Sequence, residues 1–402
     1  MTIPMTVVSV AVLGAGTRAQ DHLETIGRLA SICRLVAVCD ADAARATEVG
    51  ARHGVPGFTE LERMLTETTP TLLYVITPPD SHHAAVELAG RHGVHVISET
   101  PIATTLPLAD AMIAAARRHG IKLEVAENVW RWPNERLKRR IIAAGAIGDV
   151  TQMHLWYYSG SYHGISAART LIDSVPVRVR GYTRETPVPP HRDPARHDHT
   201  TGPYEHGLIE FANGAICVYQ YPLHPHGRNY WEVIGTKGAI IGTDLILMRD
   251  GARQIFPIRQ ELDESAAVPT LVRAYVETDP PISWENPHRD LPSGTGADEI
   301  GRADILAEMR RSILDDTESA YGAANARADQ EVLIALRESA RRDGAWVDLP
   351  LTEVTGAERE LHEEYARRYG HDPLGDIEAV IRMQHPRNTP AELALLRYHA
   401  GS

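Results

Sequence analysis

Cysteine is scarce in this 402-residue chain: Cys33, Cys39 and Cys217 are the only three. They form no C-x-x-C pair, and a sparse, odd number suits a reducing compartment and a packing role rather than a disulfide framework or a thiolate metal site. Long apolar runs are also missing, since no stretch approaches the roughly 18 residues a membrane span requires. The first apolar segment has no basic flank and opens straight into a glycine turn, so it reads as a core strand rather than a signal peptide. A cytoplasmic protein is expected, with no membrane partner. Positive charge is outweighed, 41 Lys and Arg against 53 Asp and Glu for a net −12, which argues against a nucleic-acid surface built from clustered bases. Internal repeats and low-complexity segments are absent. The length exceeds what a single hydrophobic core usually fills, so at least two domains are expected.

What is present is concentrated at the start. Val7 to Leu13 is an apolar strand, and it enters the turn Gly14-Ala15-Gly16-Thr17-Arg18-Ala19. A helix is expected from there to about Leu29, then a second strand, Leu35 to Cys39, that delivers Asp40. Gly14 suits a tight turn, Gly16 allows backbone N–H groups to approach a pyrophosphate, and Ala19 permits close helix-on-strand packing. The helix N-terminus adds partial positive charge for the phosphates. Asp40 falls about 20 residues past the fingerprint, where a carboxylate accepts ribose hydroxyls and repels a 2′-phosphate. NAD is therefore expected in preference to NADP.

Strand and helix patterns then alternate. A helix over Ala41–His53 ends at Gly54, and Thr59 with Glu62 predicts a capping box for the next helix. Thr71 to Thr77 reads as a buried parallel strand ended by Pro78-Pro79, and Asp80 or Ser81 should cap the helix that follows. Further strands are expected at Val94–Ser98 and Lys122–Ala126, separated by a helix over Leu108–His119, with a Pro133-initiated helix afterwards. This predicts a doubly wound parallel sheet over residues 1–127. Past Val150 the segments lengthen into strands, with Asn213-Gly214 as a hairpin turn, so residues 128–354 are expected to form a largely antiparallel sheet domain. A helix over Ala324–Arg341 and a strand near Trp346–Leu349 close that domain. Residues 355–402 read as a helical extension in which Leu361, Tyr365 and Tyr369 make one stripe, covering a sheet face or a neighbouring subunit, and Thr389-Pro390-Ala391-Glu392 starts another helix.

In order of elements and motifs, residues 6 to about 350 resemble the glucose-fructose oxidoreductase/inositol dehydrogenase/MocA family of nicotinamide-dependent enzymes. The matching residues are Gly14 to Ala19, Asp40, Thr77-Pro78-Pro79-Asp80-Ser81-His82, Gly93 to Pro101, Asn128 to Pro133, Gly145-Ala146-Ile147-Gly148, His163 and Gly235-Thr236-Lys237-Gly238. The resemblance implies hydride transfer between NAD and a sugar, cyclitol or related polyhydroxylated substrate. Gly14, Gly16, Thr17, Arg18, Asp40, Thr77, Pro78, His82, Glu99, Pro101 and Asn128 would then lie on the cofactor side, with Arg131 in the pocket wall. His163 would exchange the substrate proton and Thr100 takes the position of the motif's lysine, while Tyr162, a polar neighbour of His163 in sequence, is a candidate to orient the substrate. A homo-oligomer through the C-terminal sheet is expected.

Two departures stand out. The Lys of the family's Glu-Lys-Pro motif is Thr100 here, and a hydroxyl supplies neither a cation nor a group titrating near neutrality. The Asp of its Asp-x-x-x-His pattern is Ser159, which leaves His163 without the carboxylate that would stabilise its charged form. These losses keep open a transient oxidation without net redox change, as in a lyase or epimerase, and a catalytically silent NAD-binding sensor or scaffold. His191, Asp193, His197, Asp198, His199 and His206 crowd one segment, but their spacing matches no defined metal motif. A substrate-side loop without metal is expected there.

Overall fold

A computed structural model describes residues 7–157, 161–192, 198–222, 229–265, 267–375 and 377–382. The N-terminal part runs β1 (Val8–Leu13), α1 (Thr17–Arg28), β2 (Cys33–Cys39), α2 (Ala43–His53), β3 (Gly57–Phe58), α3 (Leu61–Thr68), β4 (Leu72–Val75), α4 (His82–Arg91), β5 (His95–Ser98), α5 (Leu106–His119) and β6 (Leu123–Val125). All six strands are parallel, in the order β3-β2-β1-β4-β5-β6. The order reverses between β1 and β4, which opens a crevice beyond their carboxyl ends. The apolar runs read from the sequence are the interior of this sheet: all of Leu72–Val75 is buried.

The second part continues with α6 (Pro133–Ala143), β7 (Val150–Trp156), α7 (Ser161–Ile172), β8 (Pro176–Arg192), β9 (Asp198–Phe211), β10 (Ile216–Pro222), β11 (Tyr230–Gly235), β12 (Gly238–Ile241), β13 (Asp244–Arg249) and β14 (Ala252–Pro257). Three short strands, β15 (Arg259–Asp263), β16 (Thr270–Val276) and β17 (Ile282–Glu285), form a small antiparallel sheet. Helices α8 (Ala297–Asp315) and α9 (Gly322–Arg341), strand β18 (Val347–Asp348), and helices α10 (Gly356–Tyr369) and α11 (Ile377–Arg382) complete the described chain. The large sheet has nine strands, and only the β7–β10 pair is parallel. Its alternation is that of a sheet with one covered face. Met153, Leu155, Cys217, Tyr219 and Val233 point into one apolar core. The opposite face carries the register rows Gln152–Ile216–Glu210–Arg178 and Trp156–Gln220–His206–Tyr182. Helix α9 comes so close to the covered face that a Cβ on Gly181 would lie 2.1 Å from the Leu336 carbonyl oxygen.

Several local expectations change. Helix α3 starts one residue after Glu60 with no side-chain cap bond, so Thr59 and Glu62 do not form a capping box. Ser81 holds the N-cap position of α4, yet its hydroxyl bonds Thr77 and the Pro78 carbonyl instead of the helix N–H groups. Where it is described, the histidine-rich stretch is not loop but paired strand: His191 lies on β8, and Asp198, His199 and His206 lie on β9. Pro187, Pro189 and Pro190 fall where the β8–β9 register shifts, the place where a residue without an N–H costs the ladder least. His191 and His199 stack across that strand pair at 5.2 Å, and among the described residues no His/Cys/Asp/Glu group is placed to hold a metal ion. The three cysteines are buried thiols. Ser159, Asp193, His197 and the expected helix start at Thr389 lie outside the described residues.

A continuous interior joins the two parts. Arg131 is fully buried and its guanidinium pairs with Glu124 of β6 and with Asp304 and Glu308 of α8. It is a structural cross-brace rather than the pocket-wall residue the resemblance implied.

Candidate functional site

The site begins at the β1–α1 turn. Gly14 has φ +90°, and a Cβ there would sit 2.4 Å from the Ile76 carbonyl oxygen, so only glycine lets the turn close against the end of β4. Gly16 is the N-cap of α1, and the first turn of that helix carries no acidic side chain. Its positive end is left to an anion. Asp40, at the tip of β2, accepts from Ala15 N (2.8 Å), Asp42 N (2.9 Å) and Arg45 (2.9 Å). The carboxylate is thereby fixed beside the glycine turn.

Two cavities flank this turn. The first, about 360 Å³, is walled by Leu13, Ile76, Ala84, Leu88, Val380 and Ile381 and edged by Asp40, Glu60 and Glu62. The second, about 640 Å³, is lined by Arg18, Glu99, Thr100, Asn128, Trp132, Tyr157, His163, Asn229 and Asp298. Both include Ile76, Thr77 and Pro78. An apolar slot with an acid at its edge, a helix N-terminus, and a polar cavity thus succeed one another along the crevice. That sequence of surfaces fits a base and ribose, a pyrophosphate, and a nicotinamide with room for a substrate.

Within the second cavity the two charges lost from the sequence motifs are supplied from elsewhere. Glu127, one residue past Ala126 at the end of β6, is fully buried and its Oε2 accepts from His163 Nδ1 at 2.7 Å. Burial opposes the charged imidazole, but the adjacent carboxylate outweighs it and His163 titrates above its ordinary value. The ring keeps 21% of its side-chain surface open, and Nε2 remains the nitrogen available to a ligand. Arg18 brings a guanidinium to the cavity and donates to Glu99 Oε1 at 2.7 Å. Glu99 also accepts from buried His22 (2.7 Å) and the Thr100 N–H (2.7 Å). Its burial would raise the carboxyl, but His22 and Arg18 hold it well below the usual carboxylate range. On the far wall Asp298, at the start of α8, accepts from the Trp132 indole (2.9 Å) and from Asn128 (2.5 Å).

Of the residues expected from the sequence, Gly14, Asp40, Thr77 and Pro78 converge on the first cavity, and Arg18, Thr77, Pro78, Glu99, Thr100, Asn128 and His163 on the second. Gly16 and Thr17 stand between them at the head of α1. Pro101 follows Thr100 across a cis peptide. Two others turn into the interior. His82 is fully buried, bonded to the Thr77 and Ile102 carbonyls and to Ser98, so it fixes the loop after β4 from behind. Tyr162 turns its hydroxyl to Tyr321 at 2.9 Å in the interior, and burial pushes its phenol well up. Glu127, Asp298, Trp132 and Asn229 were not singled out in the sequence. Glu127 had one available signal, its position at the carboxyl end of a parallel strand, where ligands of such sheets bind.

Strand order, glycine turn, terminal acid and flanking cavities define a dinucleotide-binding protein of the Rossmann class. Residues 8–127 match the model of the glucose-fructose oxidoreductase/inositol dehydrogenase/MocA family, described as an oxidoreductase family with an NAD-binding Rossmann fold. D-apiose dehydrogenase of Paraburkholderia graminis is 36% identical over 140 residues, which are 34% of this chain and 37% of that protein. The NADP(+)-named scyllo-inositol 2-dehydrogenase of Bacillus subtilis is 28% identical over 151 residues, 37% of this chain and 46% of that one. The chain therefore matches less than half the length of either relative. A levoglucosan dehydrogenase structure with NADH and levoglucosan superposes with a TM-score of 0.67 at 19% identity, over 86% of this chain and all of that one. At that identity the likeness is one of fold.

Proposed function

We propose that the protein is an NAD-dependent oxidoreductase that removes or returns a hydride at a CH–OH group of a sugar, cyclitol or similar polyhydroxylated molecule. The observation that carries this reading is the Glu127–His163 pair, whose imidazole lines a cavity that meets the first one at Ile76, Thr77 and Pro78. A bound nicotinamide supplies the hydride acceptor. His163, anchored through Nδ1, presents Nε2 to take the hydroxyl proton in oxidation and to return it in reduction. Glu127 holds the ring in that tautomer and stabilises the imidazolium that forms. Arg18 contributes the positive charge that Thr100 does not, and Asn128, Asn229 and Asp298 offer acceptors and donors for vicinal hydroxyls beside the faces of Trp132 and Tyr157. NAD is favoured over NADP because Asp40, Glu60 and Glu62 line the first cavity, and a 2′-phosphate placed among them would meet like charge. The names of the relatives, with apiose, inositol and levoglucosan among them, support the substrate class.

The test is a panel of aldoses, anhydrosugars and cyclitols incubated with NAD, in which NADH absorbance and product mass are followed together. Equal amounts of oxidised product and NADH are expected. Product without accumulated NADH would instead establish a transient oxidation, and an inert panel despite NAD binding would favour a sensor. Replacing the acid/base, His163→Ala, should lower kcat by about 10²- to 10⁴-fold while leaving NADH binding in place.

A further inference from the structure

Helices α10 and α11 lie beyond the segment that carries the family likeness, yet they return to the dinucleotide domain and are fastened to it at four points. Glu358 accepts from the Leu106 N–H at the start of α5 (2.7 Å), His362 bonds the Thr105 hydroxyl (2.9 Å), His83 donates to the Pro373 carbonyl (2.9 Å), and Arg91 pairs with Glu378 (2.6 Å). Glu358 also closes a capping box with Thr355, which fixes where α10 begins. Tyr365 is buried by this docking, with Leu361 and Tyr369 beside it against Thr104 and Leu108. The stripe thus covers the dinucleotide domain rather than a sheet face.

The consequence lies at the end of the path. Val380, 1% exposed, and Ile381 line the first cavity together with Ala84 and Leu88 of α4 and with Asp40. Apolar walls in the same cavity as a ribose-binding carboxylate suit the flat, weakly polar face of a purine, and among the described residues the second cavity takes nothing from α11. We infer that α11 is part of the cofactor site: Val380 and Ile381 hold the adenine ring, so that this helix sets affinity for the adenosine half and is indifferent to the nicotinamide half. This rests on the assignment of the crevice to NAD and adds to it a determinant outside the Rossmann domain.

The experiment compares the full-length protein with two full-length variants, Val380→Ala, which removes aliphatic surface, and Ile381→Asp, which places a carboxylate on the partly open wall without emptying a buried position. Dissociation constants are measured for NADH and for reduced nicotinamide mononucleotide, which lacks the adenosine half, alongside melting temperature without nucleotide. NADH affinity is expected to fall about tenfold in each variant, equivalent to ~1.4 kcal/mol, with mononucleotide affinity unchanged. Unchanged NADH affinity in Ile381→Asp, or equal losses for both nucleotides, would overturn the inference even if Val380→Ala proved too unstable to titrate. Failure of the unaltered protein to bind NADH would instead remove the assignment of the crevice itself.

Discussion

His163 owes its chemistry to a partner 36 positions earlier in the chain. The imidazole must be neutral to accept a proton, and the Glu127 carboxylate raises the pH at which it becomes so. The acid limb of kcat/KM for alcohol oxidation should therefore lie above the ordinary histidine value of about 6.5. In Glu127→Gln the anion is lost and the limb should move to lower pH, because a buried ring without its counter-charge prefers to be neutral. A purely structural role for Glu127 would lower activity without moving the limb, so the pH profile separates the two. Gly14 and Asp40 were legible from the sequence because their constraints are local: a turn that must have no Cβ, and an acid at the end of a short strand. The Glu127 role was not, because it depends on β6 and α7 meeting across the crevice, a contact that periodicity does not encode. For the same reason Ser159 suggested an uncompensated histidine, while the compensating carboxylate lay beyond the motif window.

At the level of elements, the brace around Arg131 fixes the angle between the parallel sheet and the helices of the second part. One guanidinium faces Glu124, Asp304 and Glu308, with Arg136 and His288 also on Asp304. The charges divide unevenly. Burial pushes Glu124 up to about 7, whereas Asp304 is held well below the usual range because His288, Arg131 and Arg136 outweigh its burial. Arg131→Met would leave buried carboxylates without their main counter-charge, and a loss of about 3–5 kcal/mol in unfolding free energy is expected, readable as a lowered denaturant midpoint. A change under about 0.5 kcal/mol, the usual range for surface sites, would show that water or a shifted side chain replaces the brace. The helices and strands were readable because their apolar spacing is regular. The errors fell where tertiary contacts compete with local rules: Ser81 exchanges a cap bond for a hydrogen bond to the loop after β4, and the prolines of β8 sit in a register shift that only pairing with β9 reveals.

For the whole molecule, the outward face of the nine-stranded sheet presents Tyr182, Leu208 and Ile216, each at least 36% exposed, on adjacent strands. These side chains stand among polar ones such as Gln152, Glu210 and Arg178, and we propose this face as the surface through which copies of the chain associate. Light scattering after size exclusion should give a multiple of the 44.3 kDa chain, and Leu208→Lys should reduce it. A monomer at micromolar concentration before any substitution would remove this face from the account. The crevice brings together a loop with no room for a Cβ, a fixed carboxylate and two adjoining cavities, a succession that one extended dinucleotide would span. The most direct measurement is a calorimetric titration of the full-length chain with NADH and, separately, NADPH. The proposed function predicts one NADH per chain, with NADPH bound at least about tenfold more weakly, a difference of ~1.4 kcal/mol, because Asp40, Glu60 and Glu62 line the first cavity and would repel an extra phosphate placed there. Absence of binding heat and of competition for both nucleotides, or tighter binding of NADPH, would contradict it.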